Sequence, residues 1–344
     1  MKYSFRNDYG EIGNPEIIKV LYDSAYEQTL GYGFDQYTQA LEQKFRKITK
    51  ENLNVYLVSA GTQTNMILID KALRNYEAVI AVDTGHVNVH ETGAIEGSGH
   101  KILTVKGVEG KLTPEEVLEV LAKHSDCHMV IPKLVYISNS TELGTVYRCE
   151  EIKALYRLCQ EKGLYLYIDG ARLAAALAST LADYTLVEIA KYSDAFYLGG
   201  TKNGVLYGEA LLIKHEKLKE QFHYHLKNKG GMLAKSYVVA KMFLRLLEED
   251  LYLNNARHAN RCADILVAGL EQLKVTHLPH NHTNQIFLTL KNEEISLLNK
   301  DYDFEIWSPG EKESMIRLVT SWATDIAMCE TLIGDLTKIL HQKM

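Results

Sequence analysis

With five prolines in 344 residues, the chain has no proline-rich linker, and no serine-rich stretch, internal repeat or low-complexity segment takes its place. Cysteine is just as sparse. Cys127, Cys149, Cys159, Cys262 and Cys329 form no CxxC pair and no regular spacing, which argues against a disulfide framework and for free thiols in a reducing cytosol. No apolar run approaches the ~18 residues that cross a bilayer, and the opening MKYSFRNDYGEIGNPE has no apolar signal core. Positive charge is not in excess: a formal net charge of −6 argues against nucleic acid or an anionic membrane as the main partner. A GxGxxG turn after the first strand-like run is also missing, and GAIEGSG has neither the spacing nor the position, so a NAD-dependent dehydrogenase is disfavoured. A soluble cytoplasmic protein acting on a small molecule is the expectation, since 46% hydrophobic and 24% charged residues are ordinary for a globular chain.

What is present is alternation. The β-rich runs NVYLVSA (Asn54–Ala60), AVIAVD (Ala78–Asp83), HKILTVK (His100–Lys106), KLVYISNS and LYLYIDGA are separated by helical patterns. TPEEVLEVLAKH opens with a Thr cap and a first-turn proline, and CEEIKALYRLCQEKG closes on Gly163. Short apolar runs between helices predict buried parallel strands covered on both faces, with ligands held beyond the strands' carboxyl ends. The remainder reads as a long helical stretch, then strands NQIFLTL, FEIWS and MIRLVTSW and a final amphipathic helix. The expected organisation is an α/β domain over residues 1–248, with an N-terminal arm, and a smaller α+β domain over 249–344. A long shared helix is expected between them.

Polar residues at strand ends carry the chemistry. In YIDGAR, Asp169 ends an apolar run and Arg172 emerges from the same edge; together they would hold a zwitterionic or heteroaromatic ligand, hold each other, or cap a helix. In DAFYLGGTKNGVLYGEALLI, Lys202 sits in a glycine turn between two apolar runs. A lysine desolvated there loses basicity and becomes a nucleophile toward carbonyls. Lysine with a nearby aspartate is the protein half of pyridoxal phosphate chemistry. SAGTQTN follows a strand and opens a helix, so its free N–H groups and Thr62 and Thr64 hydroxyls suit an anion. His86 and His90 have metal-ligand spacing on a helix, but no third ligand joins them and Glu91 does not complete HExxH, so no metal is expected.

With those pieces in order, the chain resembles the threonine aldolase and β-eliminating lyase family of fold type I, aspartate-aminotransferase-like pyridoxal phosphate enzymes. FRNDY, LGYGFD, SAGTQTN, DTGHVNVHETGAIEG, ISNSTELGTVY, YLYIDGARLAAAL, LGGTKNG and IRLVTSW carry the resemblance. It implies a mostly parallel seven-stranded sheet, pyridoxal 5′-phosphate as cofactor, and Lys202 as the Schiff-base lysine with Asp169 on the pyridine nitrogen. Gly61 and Thr62 would cradle the phosphate and His86 would stack on the ring, as base or as stacking group alone. Arg172 would meet the phenolic oxygen or the substrate carboxylate, and Arg317 would be a second carboxylate-binding arginine. Asn7 stands where many members carry Ser near that carboxylate, and Thr141 where some carry His. The implied reaction is retro-aldol cleavage of L-threonine, L-allo-threonine or a related β-hydroxy-α-amino acid, with β-elimination as the rival. A homodimer or homotetramer with shared sites is implied, with LGYGFDQY and Lys227, Lys229 and Lys235 as candidates to reach a neighbour.

Overall fold

The computed structural model describes residues 2–341. Its strands, in chain order, are β1 (Tyr3–Ser4), β2 (Asn54–Val58), β3 (Glu77–Val82), β4 (Lys101–Val105), β5 (Ile131–Ser138), β6 (Tyr165–Asp169), β7 (Ala195–Gly199) and β8 (Glu209–Ile213). After a long helical region come β9 (Gln285–Lys291), β10 (Tyr302–Asp303), β11 (Glu305–Ser308) and β12 (Glu313–Val319). Among the described residues the largest sheet has seven strands in the order β2-β8-β7-β6-β5-β3-β4. A three-stranded antiparallel sheet, β11-β12-β9, stands apart from it, and β1 pairs with β10.

The large sheet is buried on both faces, as its continuous apolar runs predict. In β3, Ala78, Ile80 and Val82 join one core cluster, while Val79 and Ala81 join a second on the opposite face, the period of two that a pleated strand imposes. All strands of this sheet run parallel except β8. Residues 200–208 are too few for a crossover helix, so β8 has to return antiparallel to β7. Lys202 lies on that hairpin connection.

The helical stretch after β8 is not one helix. Helix Ser236–Leu246 stops, Glu249 and Asp250 adopt positive φ of 50° and 59°, and helix Leu251–Gln272 starts. Electrostatics explain the break. Glu248, Glu249 and Asp250 would oppose the negative end of the first helix dipole, whereas they favour the positive start of the second. The second helix is nonetheless shared: Leu251, Tyr252 and Ala256 pack in the large-sheet core, and Cys262, Ala263, Leu266 and Leu270 pack under the small sheet. Among the described residues, no helix is long and apolar enough to cross a membrane.

Candidate active site

A cleft of ≈490 Å³ lies beyond the carboxyl ends of the parallel strands and is closed on one side by Glu305 and Arg317 of the small sheet. It gathers Gly61, Thr62, His86, Asp169, Arg172, Lys202 and Arg317, and Thr141 also lines it. Asn7 does not line it. Its side chain accepts from the Tyr9 N–H at 3.0 Å, and the arm residues that reach the site are Asp8 and Tyr9.

Asp169 is the last residue of β6 and is 3% exposed. Its Oδ2 accepts from the Tyr136 hydroxyl at 2.7 Å and the Asn65 amide at 3.0 Å, and its Oδ1 from the Ala171 N–H at 2.9 Å. Burial opposes its ionisation, but the His86 charge, the Tyr197 and Tyr136 hydroxyls and the Ala171 N–H outweigh it, holding its pKa below the usual carboxylate value. Tyr136, Tyr167 and Tyr197 are pushed well up by burial and stay neutral.

Lys202 faces Asp169 from the neighbouring hairpin. The strand ends approach closely here, since a Cβ on Gly199 would lie 2.3 Å from the Ala171 carbonyl oxygen. This is why position 199 is glycine, and a Cβ on Gly200 would lie 2.7 Å from the Gly208 carbonyl oxygen. Among the described residues Lys202 Nζ makes no hydrogen bond or ion pair. Burial, then repulsion from Arg172, brings its pKa down to about 8, against the pull of Asp8, Asp169 and Glu209. A half-buried turn lysine that lines the cleft without a fixed partner is an amine poised to react.

His86 opens the short helix after β3 and is 34% exposed at its side chain. Its Nδ1 lies 2.8 Å from Glu91 Oε1, and its backbone N–H donates to Glu142 Oε1 at 2.9 Å. When the ring is neutral, a carboxylate on Nδ1–H leaves Nε2 as the nitrogen with the lone pair. Asn65 donates to both Glu91 and Asp169, at 2.7 and 3.0 Å, tying the histidine's partner to the bottom of the cleft.

Two guanidinium groups face each other across the site. Arg172 spends Nε and Nη2 on Asp8, at 2.7 and 3.1 Å, and Asp8, 1% exposed, also accepts from Asn284 at 2.8 Å. Arg317 donates to Gln285 Oε1 at 3.2 Å and to Glu305, and lies 4.8 Å over the Trp307 ring. Burial and the charge of Arg172 depress its pKa, while its Nε is buried without a partner. An incoming carboxylate would relieve both the repulsion and the orphaned donor.

The residues fit pyridoxal phosphate. Helix Gly61–Ala72 has Ala60 as its cap residue and no side chain on its first N–H groups, so they are left for an anion. A Cβ on Gly61 would lie 2.9 Å from the Tyr197 hydroxyl, so glycine is what keeps the cradle open. A nearby ionised Asp169 and the unpaired Lys202 match the two ends of the ring chemistry.

Asp8, Asn65, Glu91 and Glu209 escaped the sequence reading. Glu91 stands five residues after His86 in an incomplete HExxH; Asp8 meets Arg172 and Asn65 meets Asp169 across more than a hundred residues, and Glu209 sits on a plain strand.

A β-eliminating lyase family profile matches residues 17–293. The chain is 33% identical over 332 residues to a low specificity L-threonine aldolase of Pseudomonas sp., covering 95% of this chain and 94% of that one. A solved threonine aldolase structure from Leishmania major superposes with a TM-score of 0.96 at 40% identity, covering 98% and 99% of the two chains. Thermus thermophilus aspartate aminotransferase, at 14% identity and a TM-score of 0.72 with 98% and 91% covered, shares the fold. Cleft, fold and relatives together establish that the chain belongs to the β-eliminating lyase family of pyridoxal-phosphate-dependent enzymes.

Proposed function

We propose that the protein cleaves L-threonine, L-allo-threonine or a related β-hydroxy-α-amino acid to glycine and an aldehyde, using pyridoxal phosphate. The observation that carries this reading is the placement of Lys202 and Asp169 at adjacent strand ends, under two arginines and a histidine with a free Nε2. The naming of its relatives as threonine aldolases supports it. Bound here, pyridoxal phosphate supplies an aldehyde carbon for an amine and a ring that accepts the electron pair left at Cα when the Cα–Cβ bond breaks.

The chain's residues do the rest. The Gly61 and Thr62 N–H groups would hold the phosphate, the His86 ring would stack on the cofactor, and Asp169 would keep the ring nitrogen protonated. Lys202 Nζ would be the amine that holds the cofactor. The remaining donors of Arg172 and Arg317 would grip the substrate carboxylate and so fix rotation about Cα. His86 Nε2 takes the proton from the β-hydroxyl; the C–O bond becomes a carbonyl as Cα–Cβ breaks, and the aldehyde leaves. The Glu91 contact favours the base role for His86 over stacking alone, because with Glu91 on Nδ1 it is Nε2 that is left to take a proton.

The test is product analysis. Glycine and acetaldehyde from L-threonine or L-allo-threonine support the aldolase, whereas pyruvate and ammonia from serine or cysteine derivatives with no glycine would replace it by β-elimination.

We further propose a cytoplasmic homodimer or homotetramer with shared sites. Tyr22, Tyr26, Leu30 and Phe34 are exposed on one arm of the chain, Tyr26 fully, a run of apolar surface that a partner copy would cover. Lys227 lies 4.5 Å over the Tyr32 ring and Lys229 pairs with Asp70 at 2.9 Å, so both are engaged within the chain, whereas Lys235 is exposed. Sedimentation is expected to give at least twice the 38.9 kDa chain mass. A fully active monomer would reject the shared site.

A further inference from the structure

Glu209 is a carboxylate of the cleft with no task in the chemistry above. Glu142 holds the His86 backbone and Glu91 holds its ring. Glu209, 5% exposed, is the first residue of β8 and is registered between Val58 of β2 and Gly199 of β7. One neighbour leads straight into the Gly61 anion cradle and the other into the Lys202 turn. Its Oε2 accepts from the Gly200 N–H at 2.7 Å, and the Thr201 hydroxyl also donates to the carboxylate. The groups that act on it are Thr201 and Lys202 on the hairpin, Asp169 and Tyr167 on β6, Tyr197 on β7, and Tyr252 on helix Leu251–Gln272. Lys202 is the single cation among them.

Resting on the function proposed above, we infer that Glu209 is a further cofactor-binding residue that works as a neutral acid: when an anion occupies the Gly61 cradle, its carboxylate takes one proton from solvent. The buried negative charge beside the anion is thereby removed, and an O–H donor is presented to the cleft. A charged carboxylate at this place would repel the phosphate that the helix N-terminus attracts. The free protein is already near the tipping point. Burial raises the Glu209 carboxyl to about 7, against the Gly200 N–H, the Thr201 hydroxyl and Lys202, with Asp169 adding to the rise. A dianion in the cradle pushes it further in the same direction. The sign follows: the loaded form binds one more proton, so anion affinity falls as pH rises above about 7.

The test uses sulfate, which stays dianionic across the range, on the full-length apoprotein of the wild type and of Glu209→Gln. Wild-type sulfate binding is expected to weaken by roughly tenfold per pH unit above about pH 7 relative to Glu209→Gln, whose amide is neutral throughout. Glu209 raises the Lys202 pKa in the wild type alone, so the proton count from calorimetry is read beside the affinity ratio. If the variant does not fold, calorimetry on the wild type in buffers of different ionisation enthalpy decides alone. At about pH 7, where Lys202 is already charged, proton uptake on sulfate binding supports the inference and its absence overturns it. A wild-type to variant affinity ratio unchanged between about pH 6.5 and about pH 8.5 also overturns it. Pyridoxal phosphate trapped by borohydride on Lys202 in the same preparation keeps the two readings apart: no trapping sinks the cofactor assignment, and trapping with a flat ratio sinks the role of Glu209 alone.

Discussion

Lys202→Ala is expected to lose threonine cleavage by on the order of 10⁴-fold, the scale of removing a principal catalytic group, while still binding pyridoxal phosphate as the free aldehyde. The phosphate cradle and Asp169 are untouched by the change, so affinity persists where chemistry fails. Glycine release and the absorption spectrum read the two effects separately. The amine must be uncharged to attack an aldehyde, and its pKa of about 8 means that the fraction ready to react rises with pH through that value. The rate at which apoprotein regains its absorption band should climb accordingly and level off above it. Reduction with borohydride followed by peptide mapping is decisive: a pyridoxyl group on any other lysine would end the assignment.

The second large effect belongs to Asp169. Asp169→Asn keeps the hydrogen bond to Ala171 within reach but removes the charge that holds a proton on the ring nitrogen. A loss of roughly 10²–10³ in kcat is expected, comparable to deleting a preorganised electrostatic partner, with a much smaller change in cofactor affinity because the phosphate and Lys202 contacts remain. Steady-state kinetics beside a fluorescence titration of pyridoxal phosphate separates the two. A variant that turns over near the wild-type rate would show that Asp169 is a structural acceptor for Tyr136 and Asn65 and nothing more.

The two residues at the centre of these experiments were legible because each sits where a regular element stops. Asp169 and Lys202 close apolar runs, and in a parallel sheet the end of a run is the ligand edge. The glycines around Lys202 carried a second signal, explained by the close approach of Gly199 to Ala171. Lateral partnerships were harder to read. Asp8 binds Arg172, and Asn65 bridges Glu91 and Asp169; nothing local in FRNDY singles out Asp8 over Asn7, because the arm has no periodicity to orient it. Glu209 opens a strand and reads as an ordinary polar boundary until the register sets it between β2 and β7. The helix break at Glu248–Asp250 was visible as three acids, but the helical pattern runs through them, and dipole electrostatics decided where it stops.

The place of β2 has a consequence for how the protein is made. It stands at the edge of the large sheet, and its ladder is formed with β8 alone. Asn54 pairs with Ile213 and Val58 with Glu209, partners that leave the ribosome some hundred and fifty residues apart. Closing so long a loop carries an entropic cost that local contacts cannot offset in advance. The strand that delivers Gly61 and Thr62 is therefore expected to dock late, after β3 to β7 have assembled, and a nascent chain halted before β8 would hold Asp169 without an anchored phosphate cradle. Cofactor capture thus reports completion of the sheet, and pyridoxal phosphate added during refolding should trap the last step of assembly and leave the earlier ones unchanged.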